Sequence, residues 1–221
     1  MERAPWPIGL LFGLALAVVI LLAGPLLLFN PAFTSALQVR HDVAASFDTT
    51  QAEIERVTTS YLGDIYLDGE FDASLDGDEP LLDGDERSHM SDVSRLVRLL
   101  AGVAIAGLVI VGVTGAWLRR EPRRQGRIML ISAGSIGAVA ILLAGVFAVA
   151  FEPAFLLFHE LLFPPGTYLF ETGSDLITLF PEGFWFDAAL LAGGSIVLVA
   201  VVVTLIGFRR WRTASPPIDP A

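Results

Sequence analysis

Four apolar runs, 7–29, 99–118, 128–151 and 188–208, contain no charged side chain, and each is long enough to cross a hydrocarbon core about 30 Å thick as a helix. Lipid offers no partner for backbone N–H and C=O groups, so such a run must satisfy them internally. The chain is therefore predicted to be an all-α integral membrane protein with four transmembrane helices. Composition agrees: a chain 54% hydrophobic and 17% charged is too apolar for an ordinary soluble domain, and 221 residues suit a single membrane domain, 1–221. The competing reading of the first run is a cleaved signal peptide, because Arg3 precedes it and Thr34-Ser35-Ala36 offers small residues for cleavage. Secretory apolar regions reach only about 15 residues, so the longer run favours a retained helix. Pro25, near its far end, is predicted to kink it.

Charge sets the orientation. The connection RREPRRQGR after the second run holds five arginines, and Arg209, Arg210 and Arg212 follow the fourth. Both are predicted to be cytoplasmic, which puts both termini inside. The extracytoplasmic segments are then about 30–98 and 152–187. Trp6, Trp117, Trp185 and Trp211 all fall at ends of the apolar runs, where amphipathic rings settle at headgroup level. The first outer segment carries 15 Asp and Glu against five arginines, equal to the whole net charge of −10, and excludes nucleic acid as a partner.

Within that segment Thr50-Gln51-Ala52-Glu53 has the form of a capping box, with Ile54, Val57 and Tyr61 at helical spacing behind it, predicting a helix over about 51–62. DGDE occurs twice, at 76–79 and 83–86. Clustered carboxylates suit a hard cation, but Pro80 breaks the spacing of an EF-hand loop, so a solvated, mobile acidic linker is the expectation. In the second outer segment 151–162 can be helical up to Pro164. Ser174 or Asp175 can cap a short turn through Leu179, ended by Pro181 and Gly183. Its many aromatics suit the membrane interface.

The chain has no cysteine, no lysine and only three histidines, so few groups titrate near neutrality. Two of the three, His89 in RSHMSDV and His159 in FHELLF, border apolar runs on the predicted outer side. His89 and Asp92 are three apart, which on a helix lets a carboxylate fix the imidazole tautomer. His159 and Glu160 lie in a greasy layer, where an unpartnered polar group is costly unless it serves a function. His159-Glu160-Leu161-Leu162-Phe163 begins like a zinc-peptidase helix, but Phe163 stands where the second histidine is needed. No GxSxG elbow, Walker loop or dinucleotide fingerprint is present. General acid–base chemistry is what two outer imidazoles can most simply supply. It requires that they meet, at no more than about 10 Å without a bridge.

In order along the chain, His89-Met90-Ser91-Asp92-Val93, Phe158-His159 with Phe163, Asp175-Leu176-Ile177, and Phe180-Pro181-Glu182-Gly183-Phe184 through Asp187 resemble the lipoprotein intramolecular transacylase (Lit) family. The resemblance implies transfer of the sn-2 acyl chain of a diacylglyceryl lipoprotein from glycerol to the α-amino group of its terminal cysteine, in the cell membrane with the site on the outer face. It implies His89 and His159 as the catalytic pair and neither metal nor cofactor; Asp92, Asp175, Tyr168 and Glu160 are the residues expected to support them. The partners it implies are the diacylated lipoprotein and membrane lipid. Two other classes stay open: a non-enzymatic scaffold, in which both histidines are replaceable, and a metal-dependent membrane hydrolase or sensor.

Overall fold

The computed structural model describes residues 5–75, 77 and 79–213. Among them are nine α-helices and no strand: α1 Trp6–Leu27, α2 Pro31–Arg40, α3 Val43–Ser46, α4 Gln51–Leu67, α5 Gly84–Leu118, α6 Pro122–Val149, α7 Phe151–Leu162, α8 Asp175–Leu179 and α9 Glu182–Thr213. The four apolar runs lie in α1, α5, α6 and α9, each long and apolar enough to cross a membrane. Large apolar side chains such as Leu108, Val109, Leu142 and Leu198 are exposed along them. Water would penalise that surface; lipid does not.

Contacts divide the chain into two compact units. The first comprises Met1–Gly24, Gly102–Leu143 and Gly193–Ala221. Its core is Phe12, Leu16, Ile20, Leu118, Ala133, Ala140, Ile196 and Ala200. Small residues let backbones approach here, as a Cβ on Gly126 would lie 2.5 Å from the Gly207 carbonyl oxygen.

The second unit, Pro25–Ala101 and Ala144–Ala192, holds every residue named above as a candidate for chemistry. Its core gathers Ile54, Val57, Tyr61, Leu62 and Ile65 of α4 with Phe71, Leu82, Met90, Val97, Leu176 and Leu179. Each large apolar side chain buried in this way contributes about 1.5–3 kcal/mol. The Thr50 side chain caps α4, accepting from the Glu53 N–H at 3.3 Å, and the helix runs to Leu67, beyond the predicted 62. Ile65 explains the extension, since it continues the apolar stripe into the core. Gln38 of α2, fully buried, donates to Thr58 at 3.0 Å and to the Leu179 carbonyl at 3.3 Å, joining α2, α4 and the end of α8.

Three local expectations are corrected or extended. The third apolar run is not one helix to 151, because α6 stops at Val149 and α7 starts at Phe151. Pro153 is the cause: it has no N–H to give the Val149 carbonyl, and its ring would collide with that carbonyl. The short helix α8 ends at Leu179 ahead of Pro181 and Gly183, as expected, and the same residues also open α9, the Pro181 carbonyl accepting from the Trp185 N–H at 3.3 Å. The described part of the acidic linker is pinned to α4. Phe71 is fully buried at φ 54°, a costly backbone for a bulky residue, and its N–H donates to Asp64 at 3.1 Å. The Ala73 carbonyl accepts from the Tyr61 hydroxyl at 2.9 Å and from the Leu81 N–H at 3.0 Å. Asp76 and Asp78 of the first DGDE lie outside the described residues.

Candidate active site

The second DGDE starts α5. One Asp83 carboxylate oxygen accepts from the N–H groups of Asp85 and Glu86, both at 2.9 Å, while Glu86 Oε2 accepts from the Asp83 N–H at 2.9 Å. This reciprocal pair is a capping box. Glu86 Oε1 accepts from the Leu176 N–H at 2.9 Å, in the first turn of α8. A fully buried carboxylate thus ties the start of α8 to the start of α5, and two backbone donors offset its desolvation.

One turn further along α5 stands His89. It is 6% exposed, and its Nδ1 is buried without a hydrogen-bond partner. Rings enclose it: Phe163 at 4.9 Å, Phe170 at 5.6 Å and His159 at 6.0 Å between centroids, the two imidazoles stacked at 29°. Stacking at that distance brings the pair within reach of one substrate group. His159 sits on α7 among Phe155, Phe158, Phe163 and Tyr168, the last at 5.4 Å. Its Nδ1 lies 2.8 Å from the Phe155 carbonyl oxygen. A carbonyl only accepts, so Nδ1 carries the proton and Nε2 is the basic nitrogen of the neutral ring.

Both imidazoles are held neutral. His89 lies ten residues before the apolar run of α5, and burial, helped by the neighbouring His159, pushes its pKa from the usual 6.5 down to about 4, against a smaller upward pull from Asp92. Burial also lowers the pKa of His159, outweighing the Phe155 hydrogen bond that favours its charged form. The Asp175 carboxyl is raised first by burial and then by the negative charges of Glu86 and Asp83.

The supporting residues fare differently. Tyr168 packs on His159. Asp175 opens α8 beside Glu86, with Ser174 as the cap, accepting from the Ile177 N–H at 3.3 Å. Asp92 does not hold the His89 tautomer as expected, for its carboxylate takes Arg95 Nη1 at 2.8 Å. The i,i+3 spacing serves that pair as well, and a charged donor wins the carboxylate. Glu160 is exposed and apart from the ring cluster. Among the described residues no group of three or more His, Cys, Asp or Glu is arranged to hold a metal ion.

Sequence reasoning missed two features. Glu86 was signalled by Asp83-Gly84-Asp85-Glu86, a capping-box pattern hidden in an acidic repeat. His41 caps the end of α2 and meets Asp187 at 2.9 Å, where Arg40 Nε also lies 2.7 Å from the same oxygen. Nothing local in the sequence signals a pair so far apart along the chain. Beside α7, a cavity of about 510 Å³ is lined by Ala148, Val149, Phe151, Glu182, Gly183 and Phe186. Phe151 is two turns, about 12 Å, from His159 along α7.

Fold and site together define a helical integral membrane protein with an imidazole pair enclosed by aromatic rings. Solved structures share that fold. The membrane-integral lipoprotein intramolecular transacylase Lit of Bacillus cereus is 22% identical, with a TM-score of 0.75 over 93% of this chain and 93% of its own. A variant of it with one histidine changed to alanine gives 20% identity and a TM-score of 0.73, covering 93% of each chain. A protein of Aquifex aeolicus (strain VF5) described as uncharacterized is 28% identical over 123 residues, 55% of this chain and 54% of its own length. The chain thus spans about half the length of that curated relative. The family model for lipoprotein intramolecular transacylase Lit matches residues 9–185. The chain belongs to that family, whose name is that of an acyltransferase.

Proposed function

We propose that this protein is a lipoprotein intramolecular transacylase of the cell membrane, working as one membrane domain with both termini cytoplasmic and its site on the outer face. It moves the sn-2 acyl chain of a diacylglyceryl-cysteine lipoprotein to the cysteine α-amino group, leaving a lyso-form lipoprotein. The observation that carries the reading is the stacked pair of imidazoles, one with its basic nitrogen defined and the other with a buried nitrogen lacking a partner.

The substrate amine attacks the sn-2 ester carbonyl, forming the N–C bond as the carbonyl electrons move to oxygen. His159 Nε2 takes the proton that the amine loses. His89, shut away from water, donates its ring N–H to the developing oxyanion, where a low-dielectric setting makes one hydrogen bond worth more than in water. The intermediate collapses by breaking the bond to the glycerol oxygen, which recovers a proton from His159. Nucleophile and ester belong to one substrate, so proximity is supplied without an enzyme nucleophile. The cavity lined by Ala148, Val149, Phe151 and Phe186, together with Glu182 and Gly183, takes the acyl chain, its Phe151 two turns from the base.

Mass spectrometry of the amino-terminal peptide of a model diacylated lipoprotein, with and without the protein, tests this. The expected result is an acyl mass moving from glycerol to the amine with wild type and not with His159→Ala or His89→Ala. An acyl group that stays on glycerol with wild type would overturn the reading.

A further inference from the structure

The first compact unit has a lopsided charge. Among its described residues stand Arg119, Arg120, Arg123, Arg124, Arg127, Arg209, Arg210 and Arg212, against Glu121 as the single acid. Glu121 is taken by Arg124 Nη1 at 3.2 Å. Among the described residues of this unit no other carboxylate stands beside the remaining arginines.

Two of them frame a cleft of about 400 Å³ lined by Arg123, Phe208, Trp211 and Arg212. Its walls are fixed. At its base α6 and α9 are pressed together at Gly126 and Gly207, where a Cβ on either would meet the other's backbone at 2.5–2.9 Å. Gln125 locks the same level, donating to the Gly115 carbonyl at 3.2 Å and accepting from Arg210. Phe208 holds the Arg212 guanidinium over its ring at 5.4 Å, a cation–π contact that limits the side chain without neutralising it. Trp211 is partly exposed, an amphipathic ring at the headgroup end of an apolar helix. The cleft thus offers two guanidiniums with no ion-pair partner among the described residues, together with the Phe208 and Trp211 rings. Planar guanidinium forks match the oxygens of a phosphate group, and adjoining rings accept the first methylenes of a lipid.

We propose that this cleft binds the phosphate of an anionic phospholipid headgroup between Arg123 and Arg212, with Trp211 at the boundary between headgroup and acyl chains. A bound headgroup places a counter-charge between the two guanidiniums, and fixes this end of α6 and α9 at headgroup depth. The site is independent of the imidazole pair and of the acyl-transfer reading.

The test is native mass spectrometry of the full chain released from detergent after titration with phosphatidylglycerol, phosphatidylcholine or inorganic phosphate. Wild type is compared with Arg123→Gln/Arg212→Gln and with the charge-matched Arg119→Gln/Arg120→Gln, helical content being checked by circular dichroism. Phosphatidylglycerol should be retained over phosphatidylcholine. Its affinity should fall about tenfold or more in Arg123→Gln/Arg212→Gln and stay within about twofold in the matched control. Equal loss in both double variants would mean diffuse attraction and overturn the site. So would equal retention of the two lipids, and displacement by equimolar inorganic phosphate would overturn the lipid assignment. If the double variant fails to fold, Arg123→Gln and Arg212→Gln singly decide, each expected to weaken retention about threefold; no change in either sinks the proposal.

Discussion

His41 and His89 belong to the same compact unit, yet their rings meet opposite surroundings. His41 faces a carboxylate that also holds Arg40, so its polar atom is satisfied and its neighbours carry charge. His89 faces rings, one of them a second imidazole, and keeps a buried nitrogen with no partner. A buried polar group left unmade costs about 1–3 kcal/mol. A fold retains such a group where a substrate completes it. The satisfied His41 ties elements together; His89, with its unpartnered nitrogen beside His159, is available for reaction.

The largest effect that can break this contrast is on rate. His89→Ala or His159→Ala should slow acyl transfer by about 10²–10⁴, the usual worth of a positioned acid or base, with folding retained. His41→Ala should leave the rate per folded molecule unchanged while lowering the melting temperature. Glu86→Gln comes next. It leaves one of two buried N–H groups facing an amide donor, so thermal unfolding should show a loss of about 1–3 kcal/mol. Gly183→Ala tests the other region, because a Cβ there would lie 2.7 Å from His41 Cε1 and drive the ring from Asp187. A destabilisation of about 1–3 kcal/mol is expected by denaturant titration.

Acid should sharpen the difference further. Folded His89 and His159 hold protons less tightly than the ordinary 6.5, and His89 titrates only near 4. Between those values these two histidines bind protons in the unfolded chain that they do not bind in the folded one, so their contribution to stability falls as pH drops from about 6.5 toward 4. His89→Gln should flatten that slope in pH-dependent melts. The smallest effect is expected for Asp92→Asn, which breaks a pair with the solvent-exposed Arg95 side chain and should change stability by less than about 1 kcal/mol.

The two regions also differ in how far sequence announces them. His89 and His159 stood out because each borders an apolar run, where any polar residue is conspicuous, and α7 and α8 followed from Pro164 and Ser174. The four spans followed from length and absence of charge. Pro153 carried a readable break, masked by the continuous apolar run around it. Glu86 was disguised by an acidic repeat whose second copy is a helix cap. The His41 to Asp187 contact joins the end of α2 to the first turns of α9, and no periodicity reports a pairing made only when distant helices pack. Asp92 shows the converse: correct helical spacing to His89 did not prevent a nearer cation from taking the carboxylate.

That His89 and His159 act as one unit is tested most directly by a double-mutant cycle on the rate of N-acyl transfer, using His89→Ala, His159→Ala and both together. Residues sharing a single acid–base step lose their effect together. The double variant should therefore be about as slow as the slower single one. Losses that multiply, or a wild-type rate in either single variant, would contradict a shared site.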